Sequence, residues 1–161
     1  MEMSSFYWAL AGTGAVALVV AAAGGVLTEI GPWYDSLKKP GWKPPDWAFG
    51  PIWTVILILA AVGAALAWDA AGDTGGRVAI FLVLAINSVL NIAWSGIFFK
   101  MKRPDWALIE VIMLWFSILP LIIVLGFYSQ TAGLLMLPYL LWVSIAAFLN
   151  YRIVALNKPF A

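Results

Sequence analysis

Long uncharged stretches dominate the chain. No charged residue lies between Glu2 and Glu29, Asp46 and Asp69, Arg77 and Lys100, or Glu110 and Arg152. A helix crossing the hydrocarbon core of a bilayer needs about 20 mostly apolar residues. The first three intervals each suit one crossing. The last is long enough for two and is interrupted between Gly126 and Gly133, where Ser129, Gln130 and Thr131 break the apolar run. The pattern predicts five spans, over residues 6–27, 51–68, 77–99, 105–125 and 132–156. The runs are continuous rather than alternating, which argues against a β-barrel. The expected fold is all-α, a polytopic bundle of five transmembrane helices forming one domain over residues 1–161.

Composition agrees. Apolar residues make up 64% and charged residues 11%, against about 25% charged in ordinary soluble domains. A soluble globule cannot hide that much apolar surface. Cysteine and histidine are both absent. Zinc–thiolate sites, iron–sulfur clusters, histidine-ligated haem and the usual catalytic triads are therefore excluded, and no metal site is expected. A net charge of +1 carries no nucleic-acid signature. The N-terminus has no basic n-region and no small-residue cleavage site, so the first run reads as a retained span.

Five crossings put the chain ends on opposite faces. One face carries only Arg77. The other carries Lys38, Lys39, Lys43, Lys100, Lys102, Arg103, Arg152 and Lys158. The positive-inside rule puts the first loop and the C-terminus in the cytoplasm and the N-terminus outside.

Four features depart from a plain apolar bundle. The first loop, Glu29 to Gly50, holds Trp33, Tyr34, Trp42, Trp47 and Phe49 among four prolines. Prolines limit backbone freedom, and indoles want an apolar contact plus a hydrogen-bond acceptor. The loop reads either as a folded cap on the bundle mouth or as an interfacial aromatic belt. In the third span, Asn87 and Asn91 share a helical face that continues through Trp94, Ser95 and Phe98. Buried amides there either bond a neighbouring helix or line a site. In the fourth span, Trp106, Glu110, Met113 and Ser117 share one face. Glu110 is expected to snorkel or to pair with Lys100 or Arg103, with lining of a wet cavity as the alternative. In the fifth span, Pro138 is expected to kink the helix, with Trp142, Ala146 and Asn150 following at four-residue steps. Taken singly, each feature has a packing explanation. Together they fall in one half of the membrane, with Trp53, under the aromatic loop. A pocket walled by indoles with a few amides suits a large, flat, apolar ligand. The loop lysines Lys38, Lys39 and Lys43 suit peripheral carboxylates on such a ligand.

The same residues carry a family pattern. W-Y-D-S-L-K-K-P-G-W-K-P-P-D-W-A-F-G-P-I-W-T (Trp33 to Thr54), N-I-A-W-S-G-I-F-F (Asn91 to Phe99), W-A-L-I-E (Trp106 to Glu110) and P-Y-L-L-W-V-S-I-A-A-F-L-N-Y (Pro138 to Tyr151) resemble, in order, motifs of the translocator protein family. That family is also known as TspO, tryptophan-rich sensory protein or the peripheral benzodiazepine receptor, and the chain looks like a bacterial-type member. The resemblance implies a five-helix bundle, commonly a homodimer, in a bacterial membrane. It implies no required cofactor, but binding of protoporphyrin IX, haem and related tetrapyrroles, and of isoquinoline carboxamide and benzodiazepine-type drugs. Transport, sequestration or stress signalling would be the role. Carried onto this chain, the ligand positions are Trp33, Tyr34, Trp53, Asn91, Trp94, Trp106, Trp142, Ala146 and Leu149. Trp42 joins them as a cap residue, and Asn87 is added from its helical stripe. Light-dependent breakdown of protoporphyrin is the enzymatic alternative, with Trp53 and Trp142 as candidate catalytic residues. A lipid-, sterol- or partner-binding bundle is the other alternative. The sterol pattern L/V-x₁₋₅-Y-x₁₋₅-K/R is not met at the end of the fifth span. Leu149, Asn150 and Tyr151 run straight into Arg152, and Lys158 is too distant.

Overall fold

The computed structural model describes residues 3–160. Its helices are α1 (Met3–Leu27), α2 (Pro32–Ser36), α3 (Asp46–Ala70), α4 (Thr74–Ser95), α5 (Pro104–Tyr128), α6 (Gln130–Leu134) and α7 (Leu137–Asn157). A π-helical turn, Gly96–Lys100, extends α4. Five segments are long and apolar enough to cross a membrane: Ser5–Leu27, Asp46–Ala70, Thr74–Lys100, Pro104–Tyr128 and Gln130–Asn157. The expected all-α bundle is what the chain forms, and no strand occurs among the described residues.

The predicted boundaries hold except at two places. The second span begins at Asp46 rather than Pro51, so Pro51 sits inside α3. Pro45 precedes the helix in extended conformation, and Asp46 supplies an acidic side chain to its first turn. A carboxylate there complements the helix dipole. The fifth span is not one helix with a kink. It breaks into α6 and α7 just ahead of Pro138, which occupies the first turn of α7, where a missing N–H costs nothing. The turn between α5 and α6 narrows to Ser129, whose hydroxyl accepts from the Ala132 amide at 3.3 Å.

Packing is tight in the half of the bundle away from the first loop. Ala64, Ala65, Ala67, Ile80, Ile118, Leu121, Leu125, Ala132 and Met136 are buried almost completely. Glycines let the backbones approach. A Cβ on Gly133 would stand 2.8 Å from Gly126 Cα, and one on Gly63 would stand 3.1 Å from the Ala132 carbonyl oxygen. At the end away from the first loop, the Asp73 side chain caps α4 by accepting from the Gly76 amide at 2.8 Å.

The first loop is a folded cap. Tyr34, on α2, is buried against Phe98 and Phe99 of the π-helical turn. Trp33 meets the edge of Phe98 at 6.1 Å. Reciprocal bonds pin the loop to the end of α7. The Lys38 amide donates to Asn157 Oδ1 at 2.7 Å, and Asn157 Nδ2 donates to the Lys38 carbonyl at 2.8 Å. Lys100 and Glu29 close the start of the loop with an exposed ion pair at 2.9 Å.

Candidate functional site

Directly beneath the cap the bundle opens into a cavity of about 360 Å³. That lies within the usual range for small-molecule sites, about 300–1,000 Å³. One wall is the small-residue end of α1, from Val20 and Ala21 to Gly24 and Gly25. A Cβ on Gly24 or Gly25 would meet nothing within 4 Å. The opposite walls are aromatic and amide: Phe49 and Trp53 from α3, Asn91 and Trp94 from α4, Phe98 and Phe99 from the π-helical turn, and Ala146, Leu149 and Asn150 from α7. Tyr34 and Asp46 form the roof.

The polar groups are held by one another, and their spacing along the helices explains how. Asn91 Nδ2 donates to the Tyr139 hydroxyl at 2.7 Å, and that hydroxyl donates to Asn87 Oδ1 at 3.0 Å. Asn87 Nδ2 donates to Ser117 Oγ at 2.8 Å. This buried chain joins α4, α5 and α7, and it fixes Asn91 where it faces the cavity. A second chain orients the indole of Trp94. Its Nε1 donates to Asn150 Oδ1 at 3.1 Å, and Asn150 Nδ2 donates to the Pro104 carbonyl at 2.8 Å. Satisfied networks of this kind stiffen a site. Trp53 is braced edge-on against Tyr139 at 6.0 Å.

The roof carries charge. Lys43 pairs with Asp46 at 2.5 Å, and the Tyr34 hydroxyl donates to the same carboxylate at 3.3 Å. Lys39 lies over the Tyr34 ring, 4.2 Å from its centroid. It donates to the Tyr34 carbonyl and, at 3.0 Å, to the Leu37 carbonyl. Burial pushes the Tyr34 phenol well above its ordinary range, and the nearby Asp46 charge adds to that. Burial lowers the Lys39 ammonium, with the like charge of Lys43 second.

Of the positions named from the sequence, Tyr34, Trp53, Asn91, Trp94, Ala146 and Leu149 line this cavity. Trp142 and Asn87 do not. Trp142 stands one layer behind, beside a small void shared with Phe49, Trp53, Trp94 and Ala146. Its buried Nε1 has no hydrogen-bond partner. Asn87 anchors the amide chain and borders a separate narrow void toward the far half. Trp33 braces the cap from behind Phe98. Trp42 is 46% exposed and stacks on Phe148 at 5.3 Å. Trp106 is a correction to the expected face of α5: it is 49% exposed, with the Arg103 guanidinium over its ring at 4.3 Å. Met113 is likewise exposed. The shared face lies on the border between core and exterior, so its members diverge. Glu110 departs from its expected role too. It neither snorkels nor pairs; it is 3% exposed, and no hydrogen bond reaches either carboxyl oxygen.

Sequence reasoning missed the α1 wall and the roof residue Asp46. Two motif residues of the quoted sequence, Phe98 and Phe99, were a usable signal for the floor of the cap.

Among the described residues no cluster of acidic, histidine or cysteine side chains is arranged to hold a metal ion. The sequence profile of the TspO/MBR family matches residues 13–156. A tryptophan-rich protein TspO from Chlorobaculum tepidum is 41% identical over 127 residues, 78% of this chain and 79% of the relative. Protein CrtK from Rhodobacter capsulatus is 33% identical over 142 residues, covering 88% and 89%. The translocator protein of Homo sapiens is 32% identical over 130 residues, covering 74% and 71%. With the five spans, the capping loop and this match across nearly its whole length, the chain belongs to the TspO/MBR family of multi-pass integral membrane proteins.

Proposed function

We propose that this protein binds tetrapyrroles such as protoporphyrin IX and haem within the membrane, and acts in their transport, sequestration or sensing. The observation that carries the reading is the cavity under the cap: large, mostly apolar, walled by Trp53, Trp94, Phe49 and Phe98, with Asn91 held in its wall. Aromatic faces favour offset stacking with a flat conjugated ligand. Isoquinoline carboxamides and benzodiazepine-type drugs suit the same walls. Without histidine or cysteine, haem would be held by stacking and charge, or by a weaker axial ligand such as Tyr or Met. The test is a titration of the protein in lipid nanodiscs with protoporphyrin IX, read by tryptophan quenching and thermal stability. Saturable quenching with stabilisation that grows with ligand concentration supports the reading. Trp94→Leu should weaken both. A parent protein that neither quenches saturably nor gains stability overturns it.

A second reading, light-dependent oxidation of protoporphyrin by dioxygen, is favoured by Trp53 lining the cavity while braced on Tyr139. It predicts a new absorbing product on illumination, reduced in Trp53→Phe with binding retained. Bleaching identical to that of free pigment contradicts it. The charge distribution supports a cytoplasmic cap and C-terminus, and cysteine-accessibility labelling of engineered sites near Lys39 and Arg77 tests that orientation. The family resemblance supports a homodimer. Crosslinking in a bilayer that yields only monomer would count against it.

A further inference from the structure

We propose that Lys43 is the carboxylate-binding residue of this cavity, and that Asp46 occupies it as an internal stand-in for an acidic group of the ligand. The inference rests on the tetrapyrrole reading and names the handle by which an acidic ligand is selected. Lys43 is not itself a lining residue of the cavity, but three observations hold its ammonium against the roof and largely out of solvent. The Lys43 side chain is only 15% exposed. Its Nζ lies over two rings that wall the cavity, 5.9 Å from the Tyr34 centroid and 6.0 Å from that of Phe49. Its partner Asp46 is itself part of the cavity roof. A partly desolvated ammonium requires an anionic partner, and a charge-assisted bond to a carboxylate is the strong form of that contact.

The other charges distinguish Lys43 from its neighbours. The ammonium of Lys39 is spent on the carbonyls of Tyr34 and Leu37, so it adds a fixed positive field but has no bond to exchange. Lys38 is exposed and reaches the bundle only through its backbone bonds to Asn157. Lys43 alone of the three holds an exchangeable carboxylate. Asp46 is 43% exposed, so it can turn to water when a ligand carboxylate takes its place. The exchange conserves charge at Lys43 and leaves Asp46 solvated. No covalent step is involved.

The test compares protoporphyrin IX, a dicarboxylic acid, with its dimethyl ester on the full chain in nanodiscs. The measured quantity is the ratio of the two affinities in parent, Lys43→Met, Lys43→Arg and Asp46→Asn. The parent should prefer the diacid by at least about tenfold, the scale of a hydrogen bond to a charged group. Lys43→Met should collapse the ratio toward one, and Lys43→Arg should retain it. Asp46→Asn should raise it, because the competing anion is gone. A ratio unchanged by Lys43→Met, or lowered by Asp46→Asn, overturns the proposal while leaving tetrapyrrole binding intact. Binding of neither porphyrin by the parent overturns the tetrapyrrole reading itself, and this assignment with it.

Discussion

Gly25 and Gly133 both lie in membrane-spanning segments, at opposite ends of the bundle. A Cβ added to Gly25 meets nothing within 4 Å, whereas one added to Gly133 would stand 2.8 Å from Gly126 Cα and 3.0 Å from the Ile122 carbonyl oxygen. The two halves of the molecule differ in the same way. Away from the cap, glycine and alanine bring backbones together and leave only a narrow void beside Asn87 between the helices. Under the cap, the same residue types on α1 leave space that aromatic side chains from three other helices surround. In lipid there is no hydrophobic force between helices, so close packing and interhelical hydrogen bonds must hold the bundle. The far half supplies the packing. The amide chain through Tyr139, Asn87 and Asn91 carries support into the half that stays open.

The contrast breaks most severely where the packed half is emptied. Ile118→Ala removes a fully buried side chain and should cost about 2 kcal/mol or more, read as lowered thermal stability in detergent. Leu57→Ala, on the partly buried cavity wall, should cost much less; equal losses would erase the distinction between the halves. Overfilling comes next. Gly133→Ala should destabilise by about 1–3 kcal/mol, because both near neighbours are backbone and neither is a side-chain tip that can swing away. Gly24→Ala should be close to neutral.

Replacing Glu110 should act in the opposite direction. It is a buried carboxyl with no hydrogen-bond partner, and an unpaired polar group in an apolar core is costly. Glu110→Leu should therefore raise stability, by about 1 kcal/mol. Loss of stability would mean that the carboxyl has a structural partner in the folded protein.

The smallest effect concerns the roof. The raised Tyr34 phenol stabilises the cap while neutral. Because the folded value lies above the unfolded one of about 10, that stabilisation is complete at lower pH. It is lost as pH climbs through the folded value. In alkaline unfolding followed by circular dichroism, Tyr34→Phe should lack this component; a parent and variant with the same pH dependence would remove Tyr34 from the account.

The spans were legible because charge is expensive in hydrocarbon, so uncharged intervals map directly onto helices. The amide stripe of Asn87 and Asn91 was legible for the same reason: buried amides must find partners. Less legible was which edge of a stripe faces inward. Trp106 and Glu110 share a face by spacing, yet one is half exposed and the other buried, since helix periodicity does not fix the angle at which α5 meets its neighbours. The start of α3 was misplaced because Pro51 resembled a first-turn proline, while Pro45 and Asp46 together formed the better start. The α1 wall was illegible because glycine and alanine read identically whether a neighbour fills the space beside them or leaves it empty.

One measurement bears on the open half most directly. Parent protein and Gly25→Leu are titrated with protoporphyrin IX in nanodiscs, with thermal stability recorded on both. Stability without ligand should be equal in the two, with saturable quenching in the parent and loss of that saturation when leucine fills the cavity. Equal saturation in the two proteins would contradict this, because the ligand would then lie somewhere other than beneath the cap.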